Sequence, residues 1–475
     1  MVNLPEGHKP VKGRQVFALK SDRRKKAHFI TKRFTQVFKI NYENTFSSVA
    51  RFETLRLLLS LAALHDWELE ALDVKTSFLF GKLDEEIYMD QPKGFVIRGQ
   101  EKKIYRLRKA IYSLKQAALQ WNKQLHTILL KMGFTRCKSD PGTYFKIIRE
   151  EIIILLIYVD NALFMGSNKT QVLSHKKDFM KRWESRDLGP AKEYLGMRIT
   201  RDRKKQTITL DQTRYAEKVI KRFGQENCKE VSVPLPTGYN PRPNPNQSDV
   251  SLRSRYQSVI RSLLYVMLGT RPDIAFAVIK MSQYSSNPTE EHLQKALYIV
   301  RYLSSSKDLC IQYSATGNQN GLCAYSDTDW AGDVETSRST TGYAIFLGNG
   351  IVSWLSRRQR RVTLSSTEAE YCGMTEIAKQ LRWIRNVYEE LGFKLGPLPL
   401  CVDNQGAMFL ASNPAQEGRT KHIRIPEHYI REAVELEEIK LYYIPTNLQF
   451  ADIFTKNLGK QKFQEGRNTL RLSRF

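Results

Sequence analysis

Ile152-Ile153-Ile154-Leu155-Leu156-Ile157-Tyr158-Val159-Asp160-Asn161-Ala162-Leu163-Phe164 is apolar on both sides of a single carboxylate. The β-branched run reads as a buried strand, and Ala162-Leu163-Phe164 as its return partner. Asp160-Asn161 falls where a two-residue hairpin turn is expected. An acid fixed between two strands suits metal binding, although the same dipeptide is also an ordinary turn with no chemistry. The balance moves with Asp73, which lies in Leu69-Glu70-Ala71-Leu72-Asp73-Val74-Lys75-Thr76-Ser77-Phe78-Leu79, a second strand-like segment with an acid in apolar surroundings. Two acids from separate strands can share a pair of divalent ions and run phosphoryl transfer.

The 475 residues allow two to four domains and an ample core. Lys and Arg number 75 against 49 Asp and Glu, a formal net charge of +26. That excess favours a polyanionic partner, nucleic acid before membrane. Six scattered cysteines without a CxxC pair indicate neither a zinc site nor a disulfide framework, and fit a reducing compartment. No apolar run is long enough to span a bilayer, and the polar N-terminus carries no signal-peptide pattern, so an intracellular, unsecreted protein is expected. Arg23-Arg24-Lys25-Lys26 reads as a nuclear signal or, equally, as a phosphate-facing loop.

Along the chain, 14–19 and 27–34 look like strands around that basic turn, and 51–64 has helical length with a broad apolar face. Residues 102–120 interleave Lys102, Lys103, Arg106, Arg108, Lys109 and Lys115 with Tyr105 and Tyr112, a pattern that suits a nucleic-acid surface or a charged helix face. Helices are expected over 121–132 and 171–183, and a strand pair over 194–210. Alternate prolines in Pro234-Leu235-Pro236-Thr237-Gly238-Tyr239-Asn240-Pro241-Arg242-Pro243 forbid regular structure and place a linker there. Residues 251–305 read as helices.

A second acidic constellation opens at Tyr325-Ser326-Asp327-Thr328-Asp329-Trp330-Ala331-Gly332-Asp333. It fails as a calcium loop, because Ala331 and Arg338 stand where oxygen ligands are required. Strands over 343–347 and 351–354 follow as a meander. Ser365-Ser366-Thr367-Glu368 then caps a helix carrying Glu370. Residues 398–402 form a short strand ending in Asp403, 430–436 a helix, 440–444 a strand, and Asp452 opens a last helix. Asp327 and Asp403 therefore lie at strand ends, and Glu370 and Asp452 at helix starts. On a β-β-β-α-β-α-β-α order four acids so placed can converge on one two-metal site; taken singly, each is an ordinary cap or surface residue.

At these residues the chain resembles the reverse transcriptase–ribonuclease H part of copia-type LTR-retrotransposon Pol polyproteins. The likeness is carried by Leu72-Asp73-Val74-Lys75-Thr76-Ser77-Phe78-Leu79, Tyr88-Met89-Asp90-Gln91-Pro92, Ser113-Leu114-Lys115-Gln116-Ala117, Tyr158-Val159-Asp160, Gly269-Thr270-Arg271-Pro272-Asp273-Ile274-Ala275, Asp403-Asn404-Gln405 and Ala451-Asp452-Ile453-Phe454-Thr455-Lys456. The resemblance implies an α+β right-hand polymerase followed by an α/β ribonuclease H-like domain with a mixed sheet. Fingers and palm would occupy 1–233, a proline-rich linker 234–250, a helical thumb or connection 251–317, the ribonuclease H domain 318–458 and a tail 459–475. Asp73 and Asp160 would be palm metal ligands, with Asn161 beside them. Phe78 would exclude a ribonucleotide 2′-hydroxyl, Gln116 would lie in the nucleotide pocket, and Lys26 and Lys32 would reach the triphosphate. Asp327, Glu370, Asp403 and Asp452 would be the ribonuclease H ligands, Glu370 being chosen over Glu368. His422 and His428 resemble proton shuttles, but a structural role is expected of each. Two Mg2+ or Mn2+ ions per site are implied, with RNA template, DNA primer, RNA–DNA hybrid and deoxynucleoside triphosphates as partners, no membrane, and residence in a cytoplasmic virus-like particle or the nucleus.

The chain departs from the family pattern mainly in its first half. Asn161 replaces the second of two aspartates, His28 and Arg33 alter the fingers motif, Gln15 stands for a tryptophan, and Ala118 for a proline. By the resemblance, the first fingers strand and the gag, protease and integrase segments are expected to be missing. The expectation is a decaying or truncated copy whose polymerase is impaired by Asn161 while the ribonuclease H acids survive. The competing expectation is a catalytically dead, nucleic-acid-binding remnant.

Overall fold

The computed structural model describes residues 1–19, 25–315, 321–413 and 428–474. Arg23, Arg24 and His422 lie outside these residues, and at Lys26 the description covers the backbone alone. The chain forms two compact units: Met1–Arg51 with Glu68–Ala191, and Phe52–Trp67 with Lys192–Phe475. Both mix helix and sheet, as the α+β expectation requires.

In the first unit β1 (Gly13–Leu19) and β2 (Lys25–Thr31) form an antiparallel hairpin. Two short strands, β4 (Tyr88–Met89) and β5 (Tyr105–Arg106), pair beside it in sequence. The main sheet has six strands in the order β10-β3-β9-β8-β7-β6. These are β3 (Glu68–Val74), β6 (Thr135–Arg136), β7 (Thr143–Ile148), β8 (Glu151–Tyr158), β9 (Asn161–Gly166) and β10 (Ser185–Pro190). Helices α2 (Ala117–Lys131) and α3 (Lys169–Arg182) cover one face, where Trp121, Leu125, Leu129 and Phe179 pack with Leu155, Phe164 and Trp183. The buried Lys176 ammonium on α3 is 2.7 Å from the buried Glu70 carboxylate on β3. Lys176 also pairs with Asp187 on β10, so removing the lysine would strand the buried Glu70, and the three charges together fix where the helix sits on the sheet.

The hairpin at the centre of this sheet differs by one residue from the sequence expectation. Tyr158 pairs with Asn161, so the loop residues are Val159 and Asp160, and Asn161 is the first residue of β9. Val159 takes the left-handed conformation at φ +59°, which β-branched residues rarely adopt. The Trp121 Nε1–H donates to the Val159 carbonyl at 2.6 Å and holds the turn. Both faces of β9 are buried, Ala162 and Phe164 on one and Leu163 and Met165 on the other, so a slip of one residue would exchange two packed faces of different shape. Core packing therefore wins over turn preference.

The second unit holds two five-stranded sheets. The first runs β11-β12-β13-β14-β20, from β11 (Glu193–Tyr194), β12 (Met197–Asp202), β13 (Thr207–Asp211), β14 (Leu309–Ser314) and β20 (Leu472–Arg474). The second runs β17-β16-β15-β18-β19, from β15 (Leu322–Asp333), β16 (Arg338–Leu347), β17 (Gly350–Arg358), β18 (Leu398–Val402) and β19 (Ile439–Tyr443). Its first three strands are an antiparallel meander, while β18 and β19 join in parallel, which makes the sheet mixed. The helices are α1 (Phe52–Leu64), α4 (Thr213–Arg222), α5 (Val250–Gly269), α6 (Ala275–Ser282), α7 (Glu290–Ser305), α8 (Ser366–Glu390), α9 (Gln405–Ser412), α10 (Tyr429–Glu435) and α11 (Lys460–Thr469).

Compactness divides the chain elsewhere than at the prolines. Helix α1, expected with the palm, lies in the second unit. Residues 54–63 are buried without interruption, so this helix needs cover on all sides. The buried Arg56 guanidinium donates to the carbonyls of Val352 (2.8 Å), Leu268 (2.7 Å) and Gly269 (3.0 Å). The proline-rich stretch is a strap packed on this unit: Leu235 is buried, and the Pro236 and Pro241 carbonyls accept from Asn457 and Tyr284. Residues 459–475, expected as a tail, contain α11 and β20, and β20 pairs with β14.

Candidate functional site

Asp327 sits midway along β15, Glu370 in the second turn of α8, and Asp403 just past the end of β18. The meander and the parallel strand bring these elements together, and a carboxylate oxygen of each lies within 4.8 Å of those of the other two. Asp327 and Glu370 are buried. Ser365 Oγ accepts from the Glu368 N–H and caps α8. Glu368 itself accepts from the Leu364 N–H at 2.7 Å and pairs with Arg361 at 3.1 Å, so it serves the helix entrance. Glu370, about half a turn on, points inward: its Oε1 accepts from the Thr328 N–H at 3.0 Å, while its buried Oε2 has no hydrogen-bond partner among the described residues. A buried carboxylate oxygen left over is costly unless a cation meets it.

Electrostatics agree with the crowding. Burial, with Asp452 and Asp403 adding to it, pushes the Asp327 carboxyl up to about 7, against the pull of Lys456 and Thr455. Burial and the charges of Asp327 and Asp403 raise Glu370 well above the usual carboxylate range. Burial also raises Asp329, two residues along β15. Such perturbed acids gathered at one spot mark a functional site more often than a structural one.

Asp452 lies in a short 3-10 turn, Phe450–Phe454, where a regular helix was expected. It is not one of the three clustered acids. Lys456 connects it to them, with Nζ 2.7 Å from Asp452 and 3.4 Å from Asp327. Thr455 donates to Asp327 Oδ2, the same oxygen that Lys456 approaches. Sequence reasoning passed over both residues, although their places three and four after Asp452 put them within one helical turn of it. His428 is 3.1 Å from the Tyr371 hydroxyl and braces α8, consistent with a structural role.

In the first unit Asp73 lies on β3 directly opposite Asn161 on β9, and Asp160 occupies the turn. The Asn161 amide donates to Asp160 Oδ1 at 3.0 Å, and the Asp160 carbonyl accepts from the Val74 N–H at 2.8 Å. Both acids act on Tyr112: burial, then the charges of Asp160 and Asp73, raise its phenol. Tyr112 meets Phe78 edge to face at 5.3 Å, and both line a cleft of about 860 Å³. Arg14, Lys32, Arg33 and Lys115 add four cations to its walls. Of these, sequence reasoning singled out Lys32 for phosphate; Arg14, Arg33 and Lys115 converge only in three dimensions.

Gln116 does not line the cleft. It is fully buried, accepts from Gln36 at 3.0 Å, and donates to the Asn41 carbonyl at 2.8 Å and to Glu85 at 3.3 Å. With every polar atom engaged, it fastens the 36–41 segment to the start of α2.

Residues 1–237 match the family described as "Reverse transcriptase (RNA-dependent DNA polymerase)". The chain is 39% identical over 481 residues to the "Retrovirus-related Pol polyprotein from transposon TNT 1-94" of Nicotiana tabacum, covering 98% of this chain and 36% of that protein. It is 36% identical over 452 residues to the corresponding polyprotein from transposon RE2 of Arabidopsis thaliana, covering 93% and 30%. A "Putative transposon Ty5-1 protein" of Saccharomyces cerevisiae is 31% identical over 316 residues, which is 65% of this chain and 100% of that protein. The chain thus spans about a third of the length of the two plant relatives. Matched across almost its whole length by retrotransposon polyproteins, and over residues 1–237 by the reverse transcriptase family, the chain belongs to the copia-type retrotransposon Pol family.

Proposed function

We propose that the second unit cleaves the RNA strand of RNA–DNA hybrids at the Asp327–Glu370–Asp403 cluster, with Asp452 completing the site. The observation that carries this reading is the meeting of three carboxylates within 4.8 Å around the unpartnered Glu370 Oε2. Hard divalent cations take oxygen ligands of this kind, so the residues fit Mg2+ or Mn2+. A bound ion pair supplies an activated water and a counter-charge for the leaving oxygen. The protein holds the ligands in place: the Thr328 N–H aims Glu370, Thr455 aims Asp327, and Lys456 keeps Asp452 beside them. The full chain should cleave a labelled hybrid in Mg2+ and not in EDTA, and Asp403→Asn should abolish cleavage while leaving hybrid binding intact. Cleavage that survives EDTA or the substitution overturns the assignment.

For the first unit we infer an RNA-templated DNA polymerase site of the same two-ion kind, at Asp73 and Asp160. The cationic cleft accommodates a deoxynucleoside triphosphate beside a primer–template, with Lys32 on the phosphates and Phe78 against the sugar. Asn161 supports the further reading that this half is impaired. It stands between the two acids, keeps the size of Asp, and brings an amide where a carboxylate would offset ionic charge. Residence in a cytoplasmic particle or the nucleus fits such substrates. Among the described residues no helix is long and apolar enough to cross a membrane.

A further inference from the structure

Helix α11 presents Lys460, Gln464 and Arg467 at intervals of four and three, one face of a helix. That face forms one wall of a cleft of about 340 Å³ in the second unit, also lined by Glu230, Tyr302 and Arg474. Three cations here meet one carboxylate. Arg474 is shared with Asp308 at 3.5 Å, and Lys460 is exposed.

Beneath the cleft a buried network centred on Asp273 is paired first by Arg271. Arg271 donates twice to Asp273, at 2.8 and 2.7 Å, and the Tyr302 hydroxyl donates to the same carboxylate at 2.7 Å. Asp273 is thereby engaged on both oxygens. Among the described residues Arg467 is hydrogen-bonded to the phenol oxygen of Tyr302, at 3.3 Å, a neutral acceptor that orients the guanidinium, while its charge also acts on Asp273, which Arg271 already pairs. A guanidinium so held, with an ammonium and an amide on the same face, matches the oxygens of a phosphate.

The cleft is joined to the acidic centre through the chain itself. Lys460 follows Asp452 by eight residues, and α11 packs against that segment, with Gly466 so close to Ile453 that an added Cβ would lie 3.4 Å from it. We propose that the Lys460–Gln464–Arg467 face is a phosphodiester-binding site that holds the backbone of the hybrid whose RNA is cut at the Asp327 centre. This rests on the hybrid-cleaving reading above. It assigns the C-terminal helix a task in substrate binding, away from the reacting atoms.

The test uses the full chain and a fluorescent RNA–DNA hybrid, with binding titrated in EDTA across a salt series and cleavage measured separately in Mg2+. Lys460→Ala should weaken binding about 3- to 10-fold and lower the log–log salt slope by roughly one contact. Lys460→Glu should weaken it further. Arg467→Lys should retain more affinity than Arg467→Gln, with melting temperatures reported for both. At saturating hybrid, Lys460→Ala should cleave at the parental rate, so the loss appears in KM and not in kcat. Inorganic phosphate and a nucleoside monophosphate, added as competitors, separate the sources of the anion: a backbone site is displaced only weakly by either. Unchanged affinity and slope in both Lys460 variants overturn the proposal, as does competition by free phosphate with no effect of the variants on the hybrid. If the parent binds the hybrid with this Lys460 dependence and does not cut it, the catalytic reading fails and the binding site stands.

Discussion

At the scale of single residues the two halves differ in charge. Asn161 leaves Asp73 and Asp160 as the carboxylates of the proposed polymerase pair, while in the second unit burial and mutual charge push the Asp327 and Glu370 carboxyls upward. Two consequences are measurable. Asn161→Asp should raise primer extension on an RNA template by at least about tenfold in matched Mg2+, with primer–template affinity unchanged, because close divalent ions need carboxylates to offset their repulsion. Equal extension by parent and variant would remove Asn161 as the cause. In the acidic cluster, burial pushes the Asp327 carboxyl up to about 7, against an ordinary carboxyl value of about 4. The folded state therefore binds the proton more tightly, and stability in EDTA should fall as pH rises from about 4 to about 7, then level off. Glu370→Gln should raise the melting temperature in EDTA at pH 7.5 and abolish the stabilisation Mg2+ gives the parent. Thermal melts with and without Mg2+ read both effects.

At the scale of elements, α1 is the informative case. Its apolar run predicts burial but not against what. Arg56, among the largest fully buried side chains, satisfies three carbonyls and lies 3.9 Å over the Trp354 ring. Burial lowers its pKa, with Glu53 opposing. Arg56→Ala should cost about 3–5 kcal/mol, since it opens a cavity and orphans buried acceptors. Arg56→Met should recover part of the packing but not the hydrogen bonds. Denaturant unfolding of the two variants separates these contributions, and a loss below about 1 kcal/mol in Arg56→Ala would show that water replaces the guanidinium. The hairpin tip follows the same logic: a bland turn dipeptide shifts by one residue because the core faces of β8 and β9 cannot be exchanged.

At the scale of the whole chain the net charge of +26 must be carried on surfaces, since buried cations such as Arg56, Lys176 and Arg271 are committed to internal partners. Binding to duplexes should be weakly dependent on sequence and steeply dependent on salt, with a log–log slope of about −0.9 for each phosphate neutralised on B-DNA. A slope near zero in a fluorescence titration would rule out an extended nucleic-acid track.

The acids themselves, the cap that starts the helix of Glu370, the strand that ends before Asp403 and the mixed α and β character were legible in the sequence, because period and capping are local properties; Asp327, expected at a strand end, lies midway along β15, and Asp452 in a 3-10 turn. Asp327, Glu370 and Asp403 stood out for that reason. Their meeting was not local: it depends on a parallel strand, β18, laid beside β15, which no spacing in the chain encodes. The same holds for Lys456 between Asp452 and Asp327, for Tyr112, whose phenol feels the charges of Asp160 and Asp73, and for the cations of the first cleft, each ordinary until distant segments converge. Gln116 shows the reverse, a motif residue whose place in the nucleotide pocket was inferred from its neighbours and whose side chain is taken up by internal hydrogen bonds. The proline-rich stretch read correctly as irregular backbone, and only tertiary packing made it a strap and not a boundary. Local chemistry settled which groups are available and how each is presented. The burial of apolar faces against one another settled which of them touch, since that energy depends on surfaces brought together from far apart in the chain.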